Sequence, residues 1–243
     1  AEFNFEHIVV DSSPLVHASI RSNPEFYATQ WYEMPPKGIY PALNFGSHQA
    51  GGDIVWHLHS NDCLSNPRVL IEAMSTFDAS SELQFLYSPV NYTRSNQFMF
   101  TRFQYHDFAR NFYRFTPLDH QGVLFRKCFL QEMGYFSEEF KLAADYDLWV
   151  RALTLKVRTY YFAKVFADFD TSGRSNQFGH ITCAEVGRIR KKLEIGFWGK
   201  FRNYLDFQYH SFRIQLLEPQ LKRFGLYGVV RGIFLRMKRL QKA

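Results

Sequence analysis

Short apolar runs that end at an acid or a polar cluster alternate with helix-like segments along this chain. The run FEHIVVD at 5–11 ends at Asp11, and the run DIVWHL at 53–58 leads into the polar cluster HSND. Runs of this kind are typical of buried parallel strands, whose carboxyl ends face a binding site. The alternation predicts an α/β fold, in which helices cover both faces of a mostly parallel sheet.

Cap and turn residues indicate where the helices lie. We predict one helix over 40–50, before a pair of glycines, and another over 67–77 with Ser65 and Asn66 at the cap. The stretch 137–155 combines a loop and an acid cluster with a helical pattern. Acids of this cluster are therefore expected at the start of a helix.

The composition is that of a globular protein. With 243 residues, of which 46% are hydrophobic, the chain can bury a core for one α/β domain plus an appendage. Aromatic residues make up 18% of it, which predicts either an aromatic core or surfaces for sugars, lipids or partners. The sequence has no apolar stretch of the roughly 20 residues that span a membrane and no signal-peptide pattern. We expect a cytoplasmic protein, or a peripheral one on the inner face of the membrane.

The charge of the chain is unevenly distributed. The net charge is +6, but residues 187–243 hold 14 Lys and Arg against 3 acids. Within 224–240, apolar residues recur every three or four positions and basic residues fill most of the others. This pattern is typical of a helix on an anionic membrane surface, although a helix packed on the rest of the protein explains it equally well. We predict a main domain over 1–178 and a basic helical C-terminal extension over 179–243.

Acids follow the predicted strand ends at several places. Asp11 ends the first run, Asp62 follows the second, and Asp145 and Asp147 lie in AADYDLW. Each acid alone is most simply a cap or a surface residue, but carboxylates at several strand ends of one parallel sheet converge on one crevice. There they could bind a divalent metal ion and act as a general base.

Two histidines precede Asp62 at alternate positions. On a strand, His57 and His59 would lie on the same face. With Asp62 they could bind a transition metal, but histidines on strands are more often structural residues with hydrogen-bond partners.

Five segments of the chain follow one another in the order and spacing of a known protein family. They are FEHIVVDSS at 5–13, KGIYPALNFG at 37–46, AGGDIVWHLHSND at 50–62, HQGVLFRK at 120–127 and MGYFSEEFKLAADYDLWVRAL at 133–153. Over about residues 3–176 this series resembles the family 2 glycosyltransferases, in particular bacterial ones that build cell-surface polysaccharides. The resemblance implies a GT-A (Rossmann-like) fold.

The resemblance also implies a reaction. An inverting glycosyltransferase moves a sugar from a nucleotide-diphosphate sugar to a hydroxyl of a glycan or lipid-linked acceptor, here in cell-surface polysaccharide or glycolipid synthesis. Asp145 resembles the catalytic base, which takes the proton of the acceptor hydroxyl. Asp62 resembles the last acid of the D-x-D element, which binds Mg²⁺ or Mn²⁺ at the diphosphate.

Further residues are implied to lie near the substrates. Asp11 resembles the acid that contacts the nucleotide base, and Lys37 and Asn44 lie in the segment near the nucleotide sugar. Asn61 stands where the family has an acid, and it could bind a ribose hydroxyl. His120 resembles a position near the acceptor or the diphosphate.

Departures from the family pattern keep an alternative open. Asn61 brings no negative charge to the metal site, and the segment after Asp11 lacks the family's glycine and second acid. The family's first strand and helix have no counterpart before 5–11, so we expect an N-terminally truncated domain. The alternative is a catalytically degenerate relative that binds a nucleotide sugar or a glycan. Nucleic acid is not an expected partner, because the main domain is acidic and has no nucleic-acid motif.

Overall fold

A computed structural model describes residues 4–12, 29–104, 118–172 and 179–192, with eight further positions between 204 and 223. The amphipathic basic stretch at 224–240 lies outside the described residues. In the part of the chain that is described, no helix is long and apolar enough to cross a membrane.

The described residues form strands and helices in alternation. The strands are β1 (His7–Asp11), β2 (Thr29–Glu33), β3 (Ile54–Trp56), β4 (Cys63–Leu64), β5 (Phe85–Tyr87), β6 (Val90–Arg94), β7 (Gln97–Arg102), β8 (Val123–Arg126), β9 (Thr159–Tyr161) and β10 (Ala167–Asp170). The helices are α1 (Ile39–Gln49), α2 (Pro67–Asp78), α3 (Lys127–Glu132), α4 (Ala144–Thr154) and α5 (Gly179–Lys191), with a 3₁₀ turn at His120–Gly122. The predicted α/β class is confirmed.

Three sheets organise these strands. The central sheet has the order β3-β8-β5-β9, in which β8 runs antiparallel to both of its neighbours and β5 runs parallel to β9. A second sheet has the order β4-β10-β6-β7, and β1 pairs with β2 in parallel. Because β8 is antiparallel, β3, β5 and β9 all point the same way, and loops at their carboxyl ends meet on one side.

Local sequence signals explain the helix starts. The Asn66 side chain accepts the backbone N–H groups of Arg68 (3.0 Å) and Val69 (3.4 Å), and Pro67 opens α2. This is the cap expected from the sequence, because Asn satisfies orphan N–H groups and Pro lacks one. The start of α1 instead follows Gly38, whose φ of 125° favours glycine.

The larger core lies between the central sheet and the helices α3 and α4. It is rich in aromatic rings: Phe125 stacks on Trp149 with 5.6 Å between centroids, and Phe85 lies 5.5 Å from both Phe129 and Trp149. These side chains are buried. Much of the aromatic content therefore serves the core, as one of the two predicted uses.

Helix α5 also belongs to this core. Its Val186 and Ile189 are buried in the same cluster as Trp149, and α5 contacts α4. The predicted extension over 179–243 thus begins with a helix that packs on the main domain.

Candidate active site

Asp145 lies in the first turn of α4, with donors on both sides. The Tyr40 hydroxyl donates to its Oδ1 at 3.2 Å, and the Tyr146 backbone N–H donates to the same oxygen at 2.8 Å. His120 Nδ1 lies 3.5 Å from Oδ2, within ion-pair range. Burial, and then the charge of Asp145, raise the pKa of Tyr40 well above its usual value. Tyr40 therefore stays protonated and acts as a donor.

Two histidines connect Asp145 to the loop after β3. The Nε2 atoms of His120 and His59 lie 2.8 Å apart, so one proton is shared between the rings. Burial, followed by the proximity of His120, lowers the pKa of His59 to about 3. His59 is thus neutral at ordinary pH.

The turn that carries His120 is held by polar and steric contacts. The preceding Asp119 accepts hydrogen bonds from Tyr92 (3.1 Å), Arg102 (2.5 Å) and Gln104 (3.1 Å). A Cβ on Gly122 would lie 2.5 Å from Val90 Cγ2 and 2.8 Å from Ser88 O. Only glycine fits there, which allows the turn to pack directly on the neighbouring strand segment.

Asp62 lies at the other end of the chain of contacts that runs from Asp145 through His120 and His59. Its Oδ2 accepts the His59 backbone N–H at 3.1 Å, and its Oδ1 accepts the Asp170 backbone N–H at 3.0 Å. Burial raises the pKa of Asp62, and these hydrogen bonds oppose that rise. The carboxylate joins the end of β3 to the end of β10. The structure therefore brings Asp62 and Asp145 together through His59 and His120.

Asp62, the predicted metal ligand, has few other ligating side chains near it. Within the described ranges, no group of three or more His, Cys, Asp and Glu side chains could hold a metal ion. Asp62 gives one lone pair on each oxygen to a backbone N–H and a third to the Gln121 side chain, which leaves a further one available. Mg²⁺ commonly binds through one or two carboxylates, with water and substrate phosphates completing its shell. Asp62 fits a cation of that kind.

His57 and His59 have separate partners. His57 Nε2 lies 2.7 Å from Ser47 Oγ, and the Ser47 hydroxyl donates to Leu43 O at 2.8 Å. The ring nitrogen of His57 must then be the donor, which leaves its buried Nδ1 without a hydrogen-bond partner. Burial lowers the pKa of His57 to about 3. This histidine is a neutral residue of the core.

An exposed rim borders Asp62. The Asn61 amide donates to Ser172 Oγ at 3.4 Å, and the Ser172 backbone N–H donates to Asp170 Oδ1 at 2.6 Å. Hydrogen bonds from Ser172 lower the pKa of Asp170. Asn61 is exposed and thus accessible to a ligand.

The other predicted nucleotide contacts lie near α1. Asp11 ends β1 in register with Glu33 of β2, and Lys37 is exposed just before α1. Asn44 is buried, and its amide exchanges hydrogen bonds with the Phe136 backbone at 2.9 and 3.0 Å. In this structure Asn44 fixes α1 to the loop that precedes α4.

Two residues of the site were not predicted from the sequence. Tyr40 lies in the recognised KGIY segment, but its partner Asp145 is 105 positions away. Glu185 of α5 binds the loop before Asp145 and lies in a segment noted only for its charge. The KGIY motif could have indicated Tyr40 as a site residue, whereas no sequence signal indicated Glu185.

The chain was compared with known proteins. No protein-family model matches it. Two proteins of Mycobacterium tuberculosis, from strains CDC 1551 / Oshkosh and ATCC 25618 / H37Rv, are each named an uncharacterized glycosyltransferase and are 28% identical over 179 residues. The match covers 69% of this chain and 64% of each relative, so the chain spans less than two thirds of their length.

Solved structures share the fold at low sequence identity. S. aureus TarS 1-349 in complex with UDP-GlcNAc has a TM-score of 0.64 and 16% identity, over 92% of this chain and 69% of that one. The mannosyltransferase PcManGT of Pyrobaculum calidifontis, in complex with GDP-Man and Mn²⁺, has a TM-score of 0.58 and 14% identity, over 95% and 71%. The chain is thus similar in sequence and fold to proteins named glycosyltransferases.

Proposed function

We propose that this chain is an inverting glycosyltransferase, which moves a sugar from a nucleotide-diphosphate sugar to an acceptor hydroxyl. The observation that carries the proposal is the setting of Asp145. Its Oδ1 accepts two hydrogen bonds, while Oδ2 faces His120 at the end of a polar chain that leads to Asp62. A positioned carboxylate next to a second, partly buried carboxylate is what base-assisted transfer from a diphosphate requires.

The proposed step uses Asp145 as the general base. Its Oδ2 takes the proton of the acceptor hydroxyl while the hydroxyl oxygen forms a bond to the anomeric carbon. The bond from that carbon to the diphosphate oxygen breaks on the opposite face, and the electron pair leaves with the nucleoside diphosphate. The configuration at the anomeric carbon inverts, and no covalent intermediate with the protein forms.

Asp62 is proposed to hold the divalent cation, Mg²⁺ or Mn²⁺. When bound, such a cation neutralises charge on the departing diphosphate. Asp11 is proposed to contact the nucleotide base, and Lys37 and Asn44 to border the nucleotide sugar. The exposed amide of Asn61 is proposed to reach a ribose hydroxyl.

The acceptor side is proposed from the family resemblance. We take it to be a glycan or a lipid-linked acceptor of cell-surface polysaccharide or glycolipid synthesis, reached from the cytoplasmic side. The amphipathic basic stretch at 224–240 would attach the protein to an anionic membrane surface. Pelleting with anionic liposomes should then require that stretch, and equal pelleting without it would exclude this role.

A second candidate is a relative that binds a nucleotide sugar without transferring it. The absence of charge at Asn61 favours this candidate, because the loop around Asp62 then offers fewer negative ligands to a cation. Nucleotide binding without turnover, unchanged by Asp145→Asn, would support it.

The test of the proposed function compares Asp145→Asn with Asp147→Asn. Asp147 lies in the same helical turn, but it pairs with Arg151 Nε at 2.8 Å. We expect Asp145→Asn to lower the transfer rate by about a thousandfold, a typical contribution of a general base, with nucleotide affinity unchanged. Asp147→Asn should lower stability and leave transfer by the folded protein intact.

Donor sugars of UDP and GDP, each with and without Mn²⁺, would be offered in this assay. Wild-type turnover that Asp145→Asn does not reduce would refute Asp145 as the base. Binding without turnover in the wild type would favour the second candidate.

A further inference from the structure

The loop before α4 is bound by a carboxylate from another helix. Glu185 of α5 is buried, with 4% of its surface exposed. Its Oε1 accepts the Lys141 backbone N–H at 2.8 Å, and its Oε2 accepts those of Leu142 (2.9 Å) and Ala143 (3.0 Å). One side chain therefore satisfies three successive backbone donors, more than 40 residues away in sequence.

This contact lies at the start of a helix that has no side-chain cap. The residue before α4 is Ala143, whose side chain cannot accept a hydrogen bond. The N–H groups at a helix start lack partners within the helix, and they form the positive end of the helix dipole. Glu185 satisfies one of these groups, the Ala143 N–H, and its carboxylate lies at the positive end of the dipole; charge-assisted bonds of this kind are the stronger ones. Glu185 thus fixes where α4 begins.

The start of α4 determines the position of Asp145. Asp145 is the second residue of the helix, and its Oδ1 meets both the Tyr146 N–H and the Tyr40 hydroxyl. A shift of the first turn would break these contacts together. A misplacement of about 1 Å can cost a catalytic group a hundredfold in rate.

We infer that Glu185 is a positioning residue for Asp145 and that the catalytic unit extends through α5. The inference rests on the proposed function, because it assigns Glu185 a task in the step that Asp145 performs. Glu185 acts through the backbone of 141–143 and touches neither substrate.

A neighbouring acid supplies a matched control. Glu139 also contacts α5, through Arg188 (3.7 Å) and Lys192 (3.5 Å), but its side chain is 54% exposed. Exposed ion pairs contribute little to stability. Glu139→Gln therefore removes an acid that contacts the same helix without disturbing the backbone bonds before α4.

The experiment measures kcat, donor and acceptor KM, nucleotide Kd and thermal unfolding for Glu185→Gln and Glu139→Gln. Gln keeps the size of Glu but turns one acceptor atom into a donor that faces a backbone N–H. We expect Glu185→Gln to lower kcat by at least about tenfold, with nucleotide Kd unchanged. Glu139→Gln should match the wild type in all four measurements.

A double variant separates positioning from general damage. Combined with Asp145→Asn, Glu185→Gln should cause no further loss of kcat, because the group that it positions is already gone. An additive loss, an unchanged kcat in Glu185→Gln alone, or an equal fall in kcat and nucleotide affinity would each overturn the inference. If Glu185→Gln does not fold, Glu185→Asp keeps the charge and is judged by the same criteria.

Hydrogen exchange gives a readout that does not depend on turnover. Glu185→Gln should speed exchange at the backbone amides of 141–146, and Glu139→Gln should not. An inactive wild type would refute the proposed function, and exchange would still decide whether Glu185 holds this loop. Unchanged exchange in 141–146 would overturn the inference in that case.

Discussion

The two carboxylates of the candidate site are held in different ways. Asp145 accepts a hydrogen bond from the Tyr40 side chain of α1, with the His120 ring beside its other oxygen. Asp62 accepts a backbone N–H group on each oxygen, in the contacts described above, and a side-chain hydrogen bond from Gln121. Besides the Tyr146 N–H of its own helix, the first carboxylate thus has side-chain partners from distant elements, whereas the second is held mainly by the main chain at two strand ends.

This difference predicts unequal tolerance to substitution. Side-chain partners change when the sequence changes, whereas backbone donors persist whatever residue occupies the position. The loop around Asp62 can therefore keep its shape with Asn61 in place of an acid. The surroundings of Asp145 cannot lose Tyr40 or His120 without changing the carboxylate's contacts.

Among the tests of this difference, the largest expected effect concerns Asp62. Asp62→Asn keeps an acceptor for one backbone N–H but removes the charge, so the loop should persist while the cation loses its ligand. We expect the gain in UDP or GDP affinity that Mn²⁺ provides to fall by about a hundredfold, because charge count sets affinity for hard cations. Calorimetry with and without Mn²⁺ measures this, and Asp78→Asn at the exposed end of α2 serves as control. A full metal effect in Asp62→Asn would show that Asp62 does not hold the cation.

The second prediction concerns His57, a buried residue just after β3. His57 bonds to Ser47 of α1 and lies against the Phe125 and Phe136 rings. Its pKa in the folded protein is lowered to about 3, against about 6.5 in the unfolded chain. The unfolded state therefore binds more protons between these values, so the stability that neutral His57 contributes is lost as pH falls from about 6.5 towards 3. From pH 7 to pH 5 this loss is roughly 2 kcal/mol.

Urea unfolding at the two pH values provides the measurement. His57→Leu should lose about 2 kcal/mol less than the wild type over this range, because it removes the titrating group. His48 is an exposed histidine of α1, next to Ser47, the partner of His57. His48→Gln should keep the pH dependence of stability that the wild type shows. Equal pH dependence in His57→Leu and the wild type would mean that His57 is not the group responsible.

The sequence predicts the elements that carry these two carboxylates, but not how the strands pair. The strand before Asp62 and the helix that carries Asp145 were predicted because hydrophobic period, caps and motif order are local signals. The antiparallel direction of β8 was not predicted, since strand direction depends on pairing that is remote in sequence. The α/β class therefore followed from the pattern, and the order of the sheet did not.

The sequence does not show which residues meet through contacts that are remote along the chain. Tyr40 and Asp145 meet across 105 positions, and the buried Val186 and Ile189 lie in a segment whose basic residues suggested an extension outside the main domain. Charge marks the exposed face of a helix and says nothing of what its apolar face packs against. The predicted boundary at 178 rests on that charge, and it stays a prediction.

The smallest expected effect is at Tyr40, and it tests the comparison most directly. Tyr40→Phe removes one donor to Asp145 and keeps the ring that packs on Phe136 at 5.4 Å between centroids. A hydrogen bond to a charged group contributes about 1.5–3 kcal/mol, so kcat should fall by at least about tenfold, with nucleotide affinity unchanged. Tyr32→Phe, whose hydroxyl donates to the exposed Gln30 at 3.2 Å, should leave kcat unchanged. If Tyr40→Phe also leaves kcat unchanged, the Tyr40 hydroxyl does not position Asp145, and the contrast between the two carboxylates loses its main support.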